Sequence, residues 1–221
     1  MNNLQIISSE ILNRITTKRV GETKFFEHAR FLSNLSDLSS QLSDSEVKFV
    51  VFGIREDIGV LANHGQPGTK DTWDIALKSL LNLQSNQFTN PSNVLILGHL
   101  DFTELYDALA TVASDPLLDI YRTYVEKIDQ CVSQLVCTIV KAGKTPILVG
   151  GGHNNAYGAI KGSALALDSK INAINFDAHT DLRALEGRHS GNGFSYAIEE
   201  GFLDRYFIFG VHETYISKEI L

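Results

Sequence analysis

The sequence predicts an α/β fold of three layers, α/β/α, with a mostly parallel sheet held between helices. Three features lead there: five short runs rich in Val, Ile, Leu and Phe, helix-period segments between them, and polar loops directly after each run. Continuous apolar strands belong to sheets buried on both faces, and their alternation with helices implies parallel crossovers. With 221 residues, 43% of them hydrophobic, the chain has material for one domain with a substantial core. No repeat, low-complexity tract or linker divides it, so residues 1–221 are expected to form a single domain.

Along residues 1–47, Ile6, Ile7, Ile11, Leu12 and Ile15, then Phe25, Phe26, Ala29, Leu32 and Leu35, recur at helical spacing. This predicts two amphipathic helices, the second reaching about Leu42. Residues 48–221 then supply the sheet and its helices. The predicted strands are Lys48–Ile54, Asn93–Gly98, Pro146–Gly151, Ile171–Asp177 and Arg205–Val211. The longest helical pattern runs from Pro116 to Ala142, with Gly143 as its stop. Ligands in open α/β sheets collect where loops leave the carboxyl ends of strands. The loops 55–69, 150–158, 177–196 and 212–216 are therefore where chemistry is sought.

Lys and Arg number 19 against 26 Asp and Glu, a net charge of −7 with no basic cluster, which excludes a phosphate-backbone binder and so nucleic acid as a partner. No apolar run approaches the ~18 residues of a membrane span. The two cysteines, Cys131 and Cys137, sit ~240° apart around a helix and are not expected to pair. With no export-signal pattern at the N-terminus, a reducing cytoplasm is the expected compartment.

Asp177-Ala-His179-Thr-Asp181 closes the fourth strand, and alternation along an extended chain would send residues 177, 179 and 181 to one side. Two carboxylates and an imidazole suit Mn²⁺, Fe²⁺ or Zn²⁺, with carboxylates favouring the harder Mn²⁺. The same residues would also serve as a polar strand end whose acids cap the next helix. Gly150-Gly-Gly-His153 follows the third strand, and its glycines let the backbone turn sharply toward a ligand. No Gly-Lys-Ser/Thr follows, which argues against a phosphate loop.

Together these motifs, Gly151-Gly152-His153 and Asp177-Ala178-His179-Thr180-Asp181, resemble those of the ureohydrolases: arginases, agmatinases and formimidoylglutamases. The loop from Gly53 to Gly59 with Asn63, Gly65 and Gly68, and the segment Leu97–Phe102, are similar to family loops as well. The resemblance implies an arginase-like fold and two Mn²⁺ ions sharing a hydroxide that attacks an amidine or guanidine carbon. It gives His153, Asp177 and Asp181 to one ion, and His179 with a bridging Asp177 to the other. It places Arg183 at the substrate's carboxylate, where a guanidinium grips bidentately; the alternative is a surface pair with Glu186 or Asp181. Arg183 favours N-formimidoyl-L-glutamate, cleaved to glutamate and formamide in histidine degradation, over cationic agmatine.

Ser190-Gly191-Asn192 matches the family's substrate loop, which makes Ser190 and Asn192 substrate-binding candidates. The catalytic histidine that arginases carry two positions later is Phe194 here, leaving His189 and His212 as proton-transfer candidates. The family's later S-x-D-x-D-x-x-D-P segment is absent, and beyond Asp181 the only aspartate is Asp204. The resemblance therefore implies a fragment lacking its C-terminal part and inactive alone, with centre strands missing between the third and fourth and apolar edges prone to self-association. Its partner is a small-molecule amidine, with a homo-oligomer as the family's common state. The alternatives are a guanidine hydrolase of the agmatinase or arginase type and a non-catalytic family member.

Overall fold

Each of the five apolar runs forms a strand in the computed structural model, which describes residues 3–112, 117–218 and 220. In chain order the elements begin β1 (Leu4–Gln5), α1 (Ser9–Ile15), α2 (Phe25–His28), β2 (Arg30–Phe31), α3 (Leu38–Ser43), β3 (Phe49–Arg55), α4 (Ile58–Leu61) and α5 (Thr72–Leu81). They continue β4 (Val94–Asp101), α6 (Thr103–Leu109), α7 (Leu117–Lys141), β5 (Thr145–Val149), α8 (Asn155–Leu167), β6 (Ile171–Phe176), α9 (Gly193–Glu199) and β7 (Leu203–Phe209). Pro116, the predicted start of the long helix, lies outside the described residues. Both cysteines on α7 are free thiols. No helix among the described residues is long and apolar enough to cross a membrane.

The N-terminal region differs from the two predicted helices. Leu4 and Gln5 pair antiparallel with β4, and only Ser9–Ile15 is helical there, capped by the Ser8 hydroxyl accepting from the Ile11 amide. The second helix is broken into α2, the short parallel strand β2 and α3. The break between β2 and α3 has a local cause: the Asn34 side chain accepts from the Ser36 amide, and Asp37, at φ +45°, caps α3 through the Ser40 amide. Short polar side chains that bond their own backbone compete with a helix in this way.

The described residues divide into two compact units, where the sequence reading has a single domain. One comprises residues up to Glu56 with Gly68–Phe102 and Thr138–Gly151; the other comprises Asp57–Pro67, Thr103–Cys137 and the chain from Gly152 onward. In the first, the order is β1-β4-β3-β5, with β2 also on β4, and all pairs except β1–β4 are parallel. Ile7, Phe25, Trp73, Leu77 and Leu81 pack with Val51 and Ile96 of the sheet. A Cβ at Gly53 would lie 2.2 Å from the Trp73 ring, so only glycine admits the indole there.

In the second unit β6 and β7 form a separate parallel pair. One face carries α8 and α9 over a core of Tyr157, Ile160, Phe194, Ala197 and Leu203. α8 lies tight on α7, because Cβ atoms at Gly158 and Gly162 would approach Val132 and the Ser133 carbonyl to 2.7 and 2.5 Å. The expected covering of both sheet faces fails here: Ile174, Phe176, Phe207 and Phe209 on the other face are 60–77% exposed. Among the described residues β5 pairs only with β3 and β6 only with β7, so each leaves an unpaired edge.

Candidate metal centre

The chain leaves β6 at Asp177, whose amide donates to the Phe209 carbonyl of β7 at 3.1 Å. It does not continue extended as the alternation argument requires. The Asp177 carboxylate accepts from the His179 amide at 2.8 Å, and Asp181 takes φ +52°, a left-handed conformation uncommon outside glycine. This tight turn brings the two carboxylates together.

His153 Nδ1 lies 3.0 Å from Asp181 Oδ2 and 3.8 Å from Asp177 Oδ2. One ligand atom from each of the three residues falls within 4.8 Å of the others. One nitrogen and two carboxylate oxygens form a donor set that fits a hard or borderline divalent ion. The hydrogen bond to Asp181, outweighing burial, holds the His153 imidazole above its usual pKa. His179 stands apart from this point: its Nδ1 meets Asp177 Oδ1 at 3.0 Å, and its ring lies against Tyr215, with centroids 4.6 Å apart.

The ligands are backed by residues the sequence reading did not single out. Asn175, buried in β6, donates from Nδ2 to Asp181 Oδ2 at 3.3 Å and to the Tyr206 hydroxyl at 3.0 Å. The Tyr206 hydroxyl donates to the Thr180 carbonyl, and burial pushes it up to about 12. Phe194 stacks on Tyr206 at 4.2 Å and meets His153 edge-on at 5.6 Å. At the position of the arginase histidine it is thus an apolar wall for His153. An asparagine in the middle of the apolar run 171–176 was the available signal for this backing layer.

A cavity of about 710 Å³ opens beside the cluster, lined among others by His179, Asp181, Arg183, Glu186, Asn63 and Tyr215. Arg183, with its side chain 54% exposed, donates from Nη1 to Asn63 Oδ1 at 2.8 Å and has Nη2 3.7 Å from Glu186 Oε1. The Ser190 hydroxyl accepts from Asn63 Nδ2 at 3.2 Å.

The other loop candidates take different positions. Asn192 is fully buried; its Oδ1 accepts from Arg188 Nη1 and the His189 amide, and its Nδ2 donates to the Ala184 and Gly187 carbonyls. It shapes the loop and does not line the cavity. His189 is also fully buried. Gly191 N–H donates to Nδ1, which leaves the ring proton on Nε2, 3.2 Å from Glu186 Oε1. Burial, against the pull of Glu186, depresses its pKa to about 4. With both nitrogens engaged, His189 has no free atom for a substrate proton. His212 is exposed and caps the turn at Glu213–Tyr215 by accepting from the Thr214 amide.

The loop is anchored by Arg188, 2% exposed, whose Nε donates to Asp129 Oδ2 at 2.8 Å and Nη2 to the Asn154 carbonyl at 3.2 Å. Its guanidinium lies between the rings of Tyr157 and Tyr196, 4.7 and 4.9 Å from their centroids.

The chain is similar to known proteins in sequence and in fold. A formimidoylglutamase of Geobacillus kaustophilus is 30% identical over 194 residues, covering 86% of this chain and 54% of that protein. One of Corynebacterium efficiens is 33% identical over 186 residues, covering 84% and 52%. The chain thus spans about half the length of the curated relatives it matches. Among solved structures, formimidoylglutamase of Bacillus subtilis superposes with a TM-score of 0.66 at 17% identity, over 92% of this chain and 57% of that one. Formiminoglutamase of Trypanosoma cruzi with Mn²⁺ gives 0.63 at 19%, over 90% and 61%. At these identities the structures show a shared fold. Residues 47–220 match the arginase family, and the chain belongs to that family.

Proposed function

We propose that this chain carries the cation-binding and carboxylate-gripping part of a formimidoylglutamase-like hydrolase, with N-formimidoyl-L-glutamate as substrate. The observation that carries the reading is the placement of Asp181 and Arg183 on one cavity, with His153 and Asp177 converging on Asp181. His153, Asp177 and Asp181 would hold Mn²⁺, with His179 set against Asp177. A divalent ion at such a site supplies Lewis acidity, which activates water and polarises an amidine.

The protein's own groups do the rest. Asn175 and Tyr206 hold Asp181 in its turn, and Phe194 keeps solvent from one side of His153. Arg183 takes a substrate carboxylate and repels the ammonium of agmatine, which orients the formimidoyl group toward the carboxylates. The relatives' names support the substrate class, and the charge of Arg183 supports it independently.

The test is calorimetric titration of the chain in Mn²⁺ with N-formimidoyl-L-glutamate and with agmatine, alongside an assay of formamide. At least tenfold tighter binding of N-formimidoyl-L-glutamate is expected. Formamide release by this chain alone is expected at less than a hundredth of the rate of a full-length relative. Preferential binding of agmatine would overturn the substrate assignment.

A further inference from the structure

Two substrate-contact candidates, Arg183 on the cavity wall and Ser190 in the loop beside it, are joined by a single residue 120 and 127 positions upstream, Asn63, which itself lines the cavity. Asn63 accepts from Arg183 Nη1 through Oδ1 at 2.8 Å and donates from Nδ2 to Ser190 Oγ at 3.2 Å. That pairing also sets the amide's orientation, because only its oxygen can face a guanidinium.

Asn63 is itself fixed. Its amide donates to the Val60 carbonyl, the His64 amide to Leu61, and the Gly65 amide to Val60, closing a turn in which His64 takes φ +59°. Gly191 leaves room for the pair: a Cβ there would lie 2.9 Å from Arg183 Cδ and 3.1 Å from Asn63 Nδ2. The Arg183 amide, in turn, donates to the Gly191 carbonyl at 3.1 Å.

The chemistry of the partner matters as much as its position. A carboxylate opposite Nη1 would neutralise the guanidinium and compete with an incoming anion. A neutral amide oxygen orients the group and leaves its charge available. The nearest acid, Glu186, is 3.7 Å from Nη2 and 43% exposed, so solvent screens it and a ligand carboxylate displaces it at small cost. Because Asn63 fixes the guanidinium before binding, less rotamer entropy is lost when the ligand arrives.

We infer that Asn63 is a positioning residue that fixes Arg183 and Ser190 as one carboxylate-binding unit, and so selects dianionic ligands. The inference rests on the reading of Arg183 given above, and its test separates the two. The 221-residue chain is titrated by NMR with glutarate, an unreactive dicarboxylate, and with glutaramide, its uncharged analogue. Wild type, Arg183→Ala, Asn63→Ala and Asn63→Asp are compared, with the circular dichroism melt of each as a folding control.

Glutarate affinity is expected to fall at least tenfold in Arg183→Ala and Asn63→Ala, and at least as far in Asn63→Asp. Asn63→Asp keeps the shape and the acceptor, so it remains testable even where the alanine variant fails to fold. Glutaramide affinity in Asn63→Asp is expected to change less than threefold. Loss in Arg183→Ala with wild-type glutarate affinity in both Asn63 variants would overturn the role of Asn63 and leave the Arg183 reading standing. Equal loss of both ligands in Asn63→Asp would make Asn63 merely structural and overturn the inference. Absence of glutarate binding in wild type, or its persistence in Arg183→Ala, would overturn the Arg183 reading and this inference with it.

Discussion

Arg188→Ala is expected to destabilise the second unit by about 3–5 kcal/mol, the usual result of removing one partner of a buried ion pair. The substitution takes both guanidinium donors from the Asp129 carboxylate, 3% exposed, and removes the donors to Asn192 Oδ1 and the Asn154 carbonyl. It also empties the space between Tyr157 and Tyr196. Urea unfolding followed by tyrosine fluorescence measures the loss. In a double-mutant cycle, Arg188→Ala with Asp129→Ala should cost clearly less than the sum of the singles, because both single changes remove the same ion pair. A single-variant loss below about 1 kcal/mol would show that the pair does not hold the loop.

Mn²⁺ affinity is expected to fall about 100-fold, or ~2.7 kcal/mol, in Asp181→Ala and in Asp177→Ala. His179→Ala should cost less than tenfold. The ordering follows from geometry: the first two aspartates share one point with His153, while His179 touches only Asp177 and leans on Tyr215. Electron paramagnetic resonance of free Mn²⁺ during titration reports the affinities. Equal binding by wild type and Asp181→Ala would remove the cluster as a cation site, and a dominant effect of His179 would mean a different ligand set.

The fold was legible where local and tertiary signals agree. The five apolar runs became β3 to β7 with ends shifted by at most three residues, because a continuous Val, Ile, Leu and Phe run bounded by Gly or polar residues has few other uses. The N-terminal region misled for the opposite reason. Phe25, Phe26, Ala29 and Leu32 have helical spacing, but Arg30 and Phe31 pair with β4 instead, and the Asn34 and Asp37 side chains bind their own backbone before a new helix starts.

The site divides in the same way. His153, Asp177 and Asp181 were legible as motifs, whereas the reason they converge was not: a left-handed Asp181 and an Asp177-to-amide bond are backbone events without a periodic signature. Asn63 stood in the sequence only as one residue of a family-like loop, and Asn175 only as a polar residue in an apolar run, neither with a role attached. Their roles come from contacts that the fold alone creates, across 120 positions for Asn63 and across a strand turn for Asn175.

The open face of β6 and β7 makes mutational tolerance very uneven among aromatic residues of the same unit. Phe194, 6% exposed in the core, should lose about 3–5 kcal/mol on truncation to alanine, the transfer term plus the cavity left behind. Phe176 and Phe209 share a tilted ring contact at 5.5 Å but are 77% and 60% exposed, so lysine at either position should cost less than about 1 kcal/mol. The same changes should raise the concentration at which the chain stays in solution, since they break a wet apolar patch. Two phenylalanines that a stability screen would rank as expendable are thus the first places to edit when the protein is to be handled at high concentration. A loss above 2 kcal/mol in Phe209→Lys would show instead that this face is covered in solution.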